Sequence, residues 1–172
     1  MGRKSEPEST SLPDAKGAIP LLATVGYEGA SLEGLIAALQ AGDVDMVLDV
    51  REVPWSRRRE FAKGSLSEAL AQAGIGYLHR KALGTPKPGR DAAKAGDRDS
   101  FARILASQLD SAEGQAALME AAALARQGRL CLLCYEHDPR QCHRSEVAAR
   151  LAALAPLEIR HLDPTAETGQ RS

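Results

Sequence analysis

The sequence predicts an α/β protein with a three-layer, Rossmann-like architecture, in which helices cover both faces of a mostly parallel five-stranded sheet. Short apolar runs alternate along the chain with segments whose apolar residues recur every three or four positions. Such alternation is typical of parallel strands joined by right-handed helical crossovers. The chain has 172 residues, of which 44 % are hydrophobic, so a single domain can bury a core of ordinary size.

Five strands are predicted where short apolar runs end in glycine or in a polar loop. They occupy residues 20–25, 46–51, 75–79, 130–134 and 157–162. Helices are predicted between them at residues 31–42, 65–74, 100–109 and 113–127, and from 145 onward. Ser31 is a residue type that caps a helix start, and Gly42 is a type that ends one. The segment 81–97, rich in Gly, Pro and Lys, is predicted to be a long loop.

The domain is predicted to span residues 20–164, between a disordered N-terminal tail at 1–19 and a C-terminal tail at 165–172. No apolar run approaches the roughly 20 residues that a membrane span needs. The N-terminal residues contain no apolar signal-peptide core, so we expect a cytoplasmic protein with no membrane partner. The three cysteines are then expected to be reduced thiols.

Charge is unevenly distributed along the chain. Residues 51–98 contain 11 Lys and Arg against 5 Asp and Glu, a net charge of +6. The remaining residues contain 11 against 18, a net charge of −7. The basic part indicates an anionic partner, either a phosphate-bearing small molecule such as a nucleotide or a nucleic acid. The alternative interpretation is a solvated surface with ion pairs.

Residues 130–144 form the most chemically dense stretch, where a predicted strand runs through a polar loop into a predicted helix. In parallel α/β folds, ligands bind beyond the C-terminal ends of strands. Arg144 and the free N–H groups of the helix start predict a site for phosphate or carboxylate. Residues near other strand ends are expected to complete this anion-binding crevice: Tyr27, Glu28, Arg51 and Ser56. Alternatively, Arg144 pairs with Asp49 or Glu136 as a buried ion pair.

Four residues near this crevice are candidates for catalysis. Cys142 lies at a helix start beside His143 and Arg144, and these features lower a thiol pKa and favour a nucleophile. His143 is also a candidate base, and Asp49 and Glu136 are candidates for orienting a partner or exchanging protons. If the protein is an enzyme, these residues predict a hydrolase or transferase acting on a phosphate-bearing substrate. In the alternative, Cys142 only caps the helix or packs beside it.

A phosphatase interpretation of the same loop is disfavoured. The spacing of Cys134 and Arg140 resembles the phosphate-binding loop of tyrosine phosphatases. However, Glu136 and Asp138 fall inside this loop, where two carboxylates would repel phosphate.

A metal-binding Cys/His protein is a further alternative. One zinc-binding set would consist of the three cysteines and one histidine: Cys131, Cys134, Cys142 and His143. The first two lie three residues apart in a predicted strand and would face opposite sides of the sheet. A chelating pair normally lies in a turn, so no metal ligand and no cofactor is predicted.

The segment 54–63, here called the basic loop, supports a different class of function. It contains Trp55, Phe61 and the run Arg57, Arg58 and Arg59. Basic side chains interleaved with aromatic rings suit contacts with phosphates and stacking on bases. The basic loop therefore predicts, as the alternative to an enzyme, a non-catalytic module that binds nucleic acid or a protein partner.

Four groups of residues occur in the same order as in a known family. They are Thr24-Val25-Gly26-Tyr27, Asp49-Val50-Arg51 with Pro54 and Ser56, Tyr77-Leu78-His79 followed by Leu83-Gly84, and Leu133-Cys134-Tyr135-Glu136 with Cys142-His143-Arg144. Together they resemble the family catalogued as domain of unknown function 488, over about residues 21–162. The resemblance implies a small cytosolic α/β protein without an assigned activity. By position it singles out Gly26, Tyr27, Asp49, Arg51, Glu136, Cys142, His143 and Arg144.

Overall fold

The computed structural model describes residues 18–166, which form a sheet of five parallel strands. The strands are β1 (Leu21–Gly26), β2 (Met46–Asp49), β3 (Gly76–His79), β4 (Leu130–Cys134) and β5 (Glu158–His161). Their order across the sheet is β3-β2-β4-β1-β5, and each neighbouring pair is parallel. All five predicted strands are confirmed. The predicted tails lie largely outside the described residues, and the division into a domain and two tails stays a prediction.

Within residues 18–166, six α-helices accompany the sheet. They are α1 (Leu32–Ala41), α2 (Lys63–Gln72), α3 (Lys87–Lys94), α4 (Arg98–Asp110), α5 (Ala112–Arg126) and α6 (Arg144–Leu154). Apolar residues of α1 and α2 pack into a core on one face, and those of α4, α5 and α6 pack into a second core on the other. The three-layer, Rossmann-like fold class is therefore confirmed. None of these helices is both long and apolar enough to cross a membrane.

Strand β4 lies at the centre of the sheet and is buried along its whole length. Its side chains alternate between the two cores. Cys131 and Leu133 belong to the core beneath α1 and α2, whereas Leu130, Leu132 and Cys134 belong to the other. Burial on both faces explains why this strand is a continuous apolar run. The loop that follows β4 consequently leaves the middle of the C-terminal edge of the sheet.

The segment 81–97 is not the long loop that its composition predicted. It forms a short 3₁₀ turn at Lys81–Leu83 and the helix α3. Proline is tolerated in the first turn of a helix, and the alanines that follow favour helix. A Cβ atom on Gly89 would lie only 2.7 Å from the Cγ2 atom of Thr85. This glycine therefore permits close packing of the helix rather than a flexible loop.

The chain leaves β4 on the opposite side of the sheet from both neighbouring strands. Helices α1 and α2 follow β1 and β2 on one face, whereas α6 follows β4 on the other. Beyond the strand ends, the Tyr27 N–H donates to the Cys134 carbonyl at 3.2 Å, and the Val50 N–H donates to the Leu133 carbonyl at 3.1 Å. Diverging connections of this kind open the crevice in which α/β folds bind ligands.

Candidate functional site

The C-terminal end of β2 carries a buried ion pair. The Arg51 guanidinium donates to the two carboxylate oxygens of Asp49 at 2.9 and 2.7 Å. It also donates to the Tyr27 hydroxyl at 3.1 Å and to the Phe61 carbonyl at 2.9 Å. The Tyr77 hydroxyl donates to the second Asp49 oxygen at 2.5 Å. Burial opposes the charge on Arg51, but hydrogen bonding to the Asp49 carboxylate and its charge raise the pKa of the guanidinium above its usual value.

Arg144 is fully buried at the start of α6 and fastens the loop that follows β4. Its guanidinium donates to the backbone carbonyls of Glu136 and His137 and, at 3.2 Å, to the Thr24 hydroxyl on β1. Arg144 thus bonds to the backbone oxygen of Glu136 and not to its carboxylate, which the predicted Arg144–Glu136 ion pair would require. Because Arg51 and Arg144 are committed to internal partners, both have structural roles, and the anion-binding role of each stays a prediction.

A cluster of two cysteines and one histidine lies where β4 ends and α6 begins. The candidate donor atoms of Cys134, Cys142 and His143 all lie within 4.8 Å of one another. The Nδ1 atom of His143 is 3.5 Å from the Cys134 sulfur and 3.9 Å from the Cys142 sulfur. Its Nε2 atom is 2.7 Å from the Val50 carbonyl. In the neutral ring this bond places the proton on Nε2, so Nδ1 faces the two sulfurs as an acceptor.

The pKa values of the three residues in this Cys/His cluster are shifted in different directions. Burial disfavours the Cys142 thiolate, but hydrogen bonds with Cys134 and His143 and the nearby positive charges lower the Cys142 pKa well below its usual value. Hydrogen bonding to Cys142, followed by burial, raises the pKa of Cys134. Burial opposes the charged form of His143, but hydrogen bonding to Cys142 raises its pKa. The cluster therefore favours a Cys142 thiolate beside a protonated His143 and a neutral Cys134.

Glu136 borders the Cys/His cluster and is half-buried. One of its carboxylate oxygens lies 3.5 Å from the Cys134 sulfur. Burial, followed by the negative charge of Cys142, raises the pKa of Glu136 to about 6. The predicted catalytic residues Glu136, Cys142 and His143 are thus neighbours, whereas Asp49 belongs to the separate buried ion pair.

Three other predicted residues lie on the loops after β1 and β2. Tyr27 is buried and bonded to Arg51. Glu28 is exposed, and its carboxylate accepts a long hydrogen bond of 3.4 Å from the backbone of the loop after β4. The Ser56 hydroxyl accepts from the Arg58 N–H at 3.2 Å and thereby shapes a turn of the basic loop. The predicted anion-binding residues therefore lie at the C-terminal edge of the sheet. Each of them forms hydrogen bonds with a different partner within the protein.

Two disfavoured interpretations can be compared with the positions of Arg140 and Cys131. The Arg140 side chain is exposed and pairs with Asp138 at 3.1 Å. The loop after Cys134 therefore lacks the inward-pointing arginine of a phosphatase loop. Cys131 belongs to the opposite core from Cys134, so the two sulfurs cannot bind one ion together.

A row of aromatic rings, which the sequence predicted only in part, joins the three loops after β1, β2 and β4 at this edge. Trp55 and Tyr135 are 64 % and 50 % exposed and follow the neighbouring strands β2 and β4. Tyr135 packs edge-on against Tyr27, with ring centroids 5.4 Å apart, and Tyr27 stacks on Phe61 at 4.5 Å. The Arg58 guanidinium lies 4.3 Å from the Phe61 ring centroid. The sequence could have indicated Tyr135 as a surface residue of this edge, because it directly follows a wholly apolar strand.

The three arginines of the basic loop differ in their partners. Arg58 pairs with Glu60 at 3.3 Å and donates to the Ala30 carbonyl. Arg57 and Arg59 are exposed and take part in no ion pair among residues 18–166. These two guanidinium groups are therefore available to an anion from solution.

Fold and site together define a parallel α/β domain with a Cys/His cluster and an aromatic, basic surface at the C-terminal edge of its sheet. Residues 31–151, most of the chain, match the model of the family described as Domain of unknown function DUF488, and the chain belongs to this family. The resemblance seen in the sequence is therefore confirmed, and the matched segment contains both the cluster and the basic loop. No curated protein and no solved structure gives a significant match.

Proposed function

We propose that this domain binds a nucleotide or a nucleic acid at the C-terminal edge of its sheet. One observation carries the proposal: Trp55 and Tyr135 are exposed aromatic rings on loops after neighbouring strands, and Arg57 and Arg59 on the first of these loops form no ion pair within residues 18–166. Stacking of a base on an aromatic ring contributes about 1–3 kcal/mol, and arginines neutralise phosphates. The surrounding segment 51–98, with its net charge of +6, supports an anionic ligand.

The exposed rings favour an unpaired base over a duplex. Bases within a duplex are stacked on one another and are not free to pack against Trp55 or Tyr135. We therefore expect a single strand or a free nucleotide as the ligand class. A duplex would contact the arginines alone and bind more weakly.

The residues first predicted to hold the anion support the binding surface in this proposal. Arg51 and Arg144 hold the loops in position, and the phosphate contacts are made by Arg57 and Arg59 instead. The predicted catalytic roles, and with them a hydrolase or transferase activity, are not needed for binding and stay predictions for four residues: Asp49, Glu136, Cys142 and His143.

Fluorescence anisotropy of a labelled oligothymidylate of about 12 nucleotides tests the proposal. The double variant Arg57→Ala/Arg59→Ala is expected to bind more weakly. The slope of log K against log salt should become less negative by about 1.4, because each phosphate contact on a single strand contributes about 0.7. The matched control is Arg126→Ala/Arg129→Ala, which removes the same charge next to the N-terminal end of β4. Equal weakening by both double variants, or none by the first, would contradict the proposal.

A further inference from the structure

The Cys/His cluster has the spacing of a metal site. In a tetrahedral zinc site, with Zn–S distances of about 2.3 Å and Zn–N distances of about 2.0 Å, sulfur and nitrogen ligands lie about 3.5 Å apart. The His143 Nδ1 atom lies 3.5 Å from the Cys134 sulfur and 3.9 Å from the Cys142 sulfur. All three donor atoms lie within 4.8 Å of one another. A single ion can therefore reach all three after small side-chain shifts.

The imidazole of His143 is oriented as a metal ligand requires. Metal-binding histidines donate the second ring N–H to a carboxylate, a backbone carbonyl or water, which fixes the tautomer and the ring orientation. Here the Nε2 atom lies 2.7 Å from the carbonyl of Val50, next to the end of β2. The sheet backbone thus holds the ring, and Nδ1 presents its lone pair to the space between the sulfurs once the ion has displaced its proton.

Glu136 is a candidate for the fourth ligand position, although its carboxylate is not among the donor atoms that lie within 4.8 Å of one another and must move toward the ion. A carboxylate oxygen of this half-buried side chain lies 3.5 Å from the Cys134 sulfur. Carboxylate oxygen is an accepted zinc ligand, and sites with three protein ligands and one exchangeable position are typical of catalytic zinc. The partial exposure of Glu136 also marks the side from which an ion or a water molecule enters.

The burial of the cluster favours a metal site over a reactive thiol. Reactive cysteines lie in partially exposed surroundings, where a substrate can approach the sulfur. Cys134, Cys142 and His143 are only 5, 6 and 7 % exposed. Such burial prevents a large substrate from reaching the sulfur, but it suits an ion that is enclosed by its ligands.

We propose that Cys134, Cys142 and His143 bind one zinc-class divalent ion, with Glu136 or water in the fourth position. Thiolate sulfur and imidazole nitrogen are ligands that zinc-class ions prefer, whereas calcium and magnesium prefer oxygen ligands. On binding, two metal–sulfur bonds and one metal–nitrogen bond form. The Cys142 thiolate binds without losing a proton, and the protons displaced from the Cys134 thiol and from the His143 Nδ1 atom pass to solvent. This site requires no nucleotide or nucleic acid and is independent of the proposed function.

The set differs from the one that the sequence disfavoured. That set needed Cys131, which the structure places in the opposite core. Without it, the donors come from the end of β4 and the start of α6, with Glu136 from the loop between them. The geometric objection to a chelating pair within the strand therefore does not apply to the new set.

Cobalt titration of the full chain, stripped with a chelator and kept reduced, tests this site. We expect one Co²⁺ per chain, with visible absorption bands of a tetrahedral ion and a thiolate-to-cobalt band in the near ultraviolet. Cys134→Ser, Cys142→Ser and His143→Ala should each weaken Co²⁺ binding by more than about 100-fold. Cys131→Ser is the matched control, since it alters a buried cysteine in the other core and should keep the wild-type spectrum.

A second measurement on the wild-type protein avoids variants that fail to fold. Saturating Zn²⁺ should slow alkylation of Cys142 by iodoacetamide at least about 10-fold, as mass spectrometry of the labelled peptide would report. Alkylation at the same rate with and without Zn²⁺ would overturn the metal site and favour a free thiol. Absence of saturable Co²⁺ binding, or equal loss in Cys131→Ser, would overturn it too. Neither result bears on oligonucleotide binding, which is measured separately.

Discussion

Asp49 and Arg51 form a charge pair that would be costly to separate. Both are buried, and each charge is compensated mainly by the other. Removing one member of a buried pair leaves the second charge without compensation in a poorly solvated site. The hydroxyl groups of Tyr27 and Tyr77 bond to the same pair, so the effect extends to the loop after β1 and to strand β3.

Asp49→Asn tests the contribution of this buried pair to stability. We expect it to lower the free energy of unfolding by about 3–5 kcal/mol, because Arg51 keeps its charge and loses the carboxylate. Asp45→Asn is the matched control. Its carboxylate, just before the same strand, pairs with Arg129 at 3.3 Å, but both side chains are mostly exposed. A change of about 1 kcal/mol or less is expected there. Urea denaturation measures both, and similar losses would contradict the structural role of the buried pair.

At the scale of secondary-structure elements, the end of β1 and the loop after β4 approach so closely that only glycine fits between them. A Cβ atom on Gly26 would lie 1.7 Å from the Glu136 carbonyl oxygen and 2.9 Å from a guanidinium nitrogen of Arg144. Both of these atoms belong to the contact that fastens the loop. Residue 26 must therefore be glycine for the backbone of Glu136 to approach β1 this closely and for its side chain to lie beside the Cys/His cluster.

Two Gly→Ala variants test this close approach. Gly26→Ala is expected to lower the free energy of unfolding by roughly 3 kcal/mol or more, because the carbonyl and the guanidinium must both move. Gly64→Ala, in the first turn of α2, meets no heavy atom within 4 Å and should be neutral or stabilising by up to about 1 kcal/mol. Chemical denaturation followed by circular dichroism measures the pair. A tolerated Gly26→Ala would contradict the close approach.

Prediction of elements from the sequence succeeded where burial leaves a periodic pattern. The inner strand β4 is a short continuous apolar run, and the helices that pack on the sheet carry apolar residues at helical spacing, so their type was predicted correctly. Helix α3 buries Gly89 alone and has no apolar stripe. Its helical state depends on packing against Thr85 and on Ile104 of α4, which no local pattern contains.

Partners of the candidate site residues were harder to predict than their positions. The topology placed Asp49, Arg51, Glu136 and His143 at one edge, as strand ends of a parallel sheet should be. However, the partner of each side chain depends on which groups lie near it in the folded structure. Arg144 bonds to backbone carbonyls rather than to an acid, and no spacing along the chain distinguishes these outcomes.

At the scale of the whole molecule, the proposed ligand-binding surface lies at the C-terminal edge of the sheet. Loops after β1, β2 and β4 join there through the stacked rings of Tyr27, Phe61 and Tyr135. The basic loop that contributes Phe61 also carries the exposed Arg57 and Arg59. Trp55 is the only tryptophan of the chain, and it is exposed on the basic loop. Its fluorescence therefore reports directly on the proposed binding surface.

Titration of the protein with unlabelled oligothymidylate, followed by Trp55 fluorescence, tests the central claim most directly. We expect saturable quenching, because a base stacks on the indole, and the midpoint should move to higher oligonucleotide concentration as salt is raised. Arg57→Ala/Arg59→Ala should shift the midpoint without removing the indole signal at saturation. Binding that is detected by anisotropy while Trp55 fluorescence stays unchanged, or no binding at low salt, would contradict the claim.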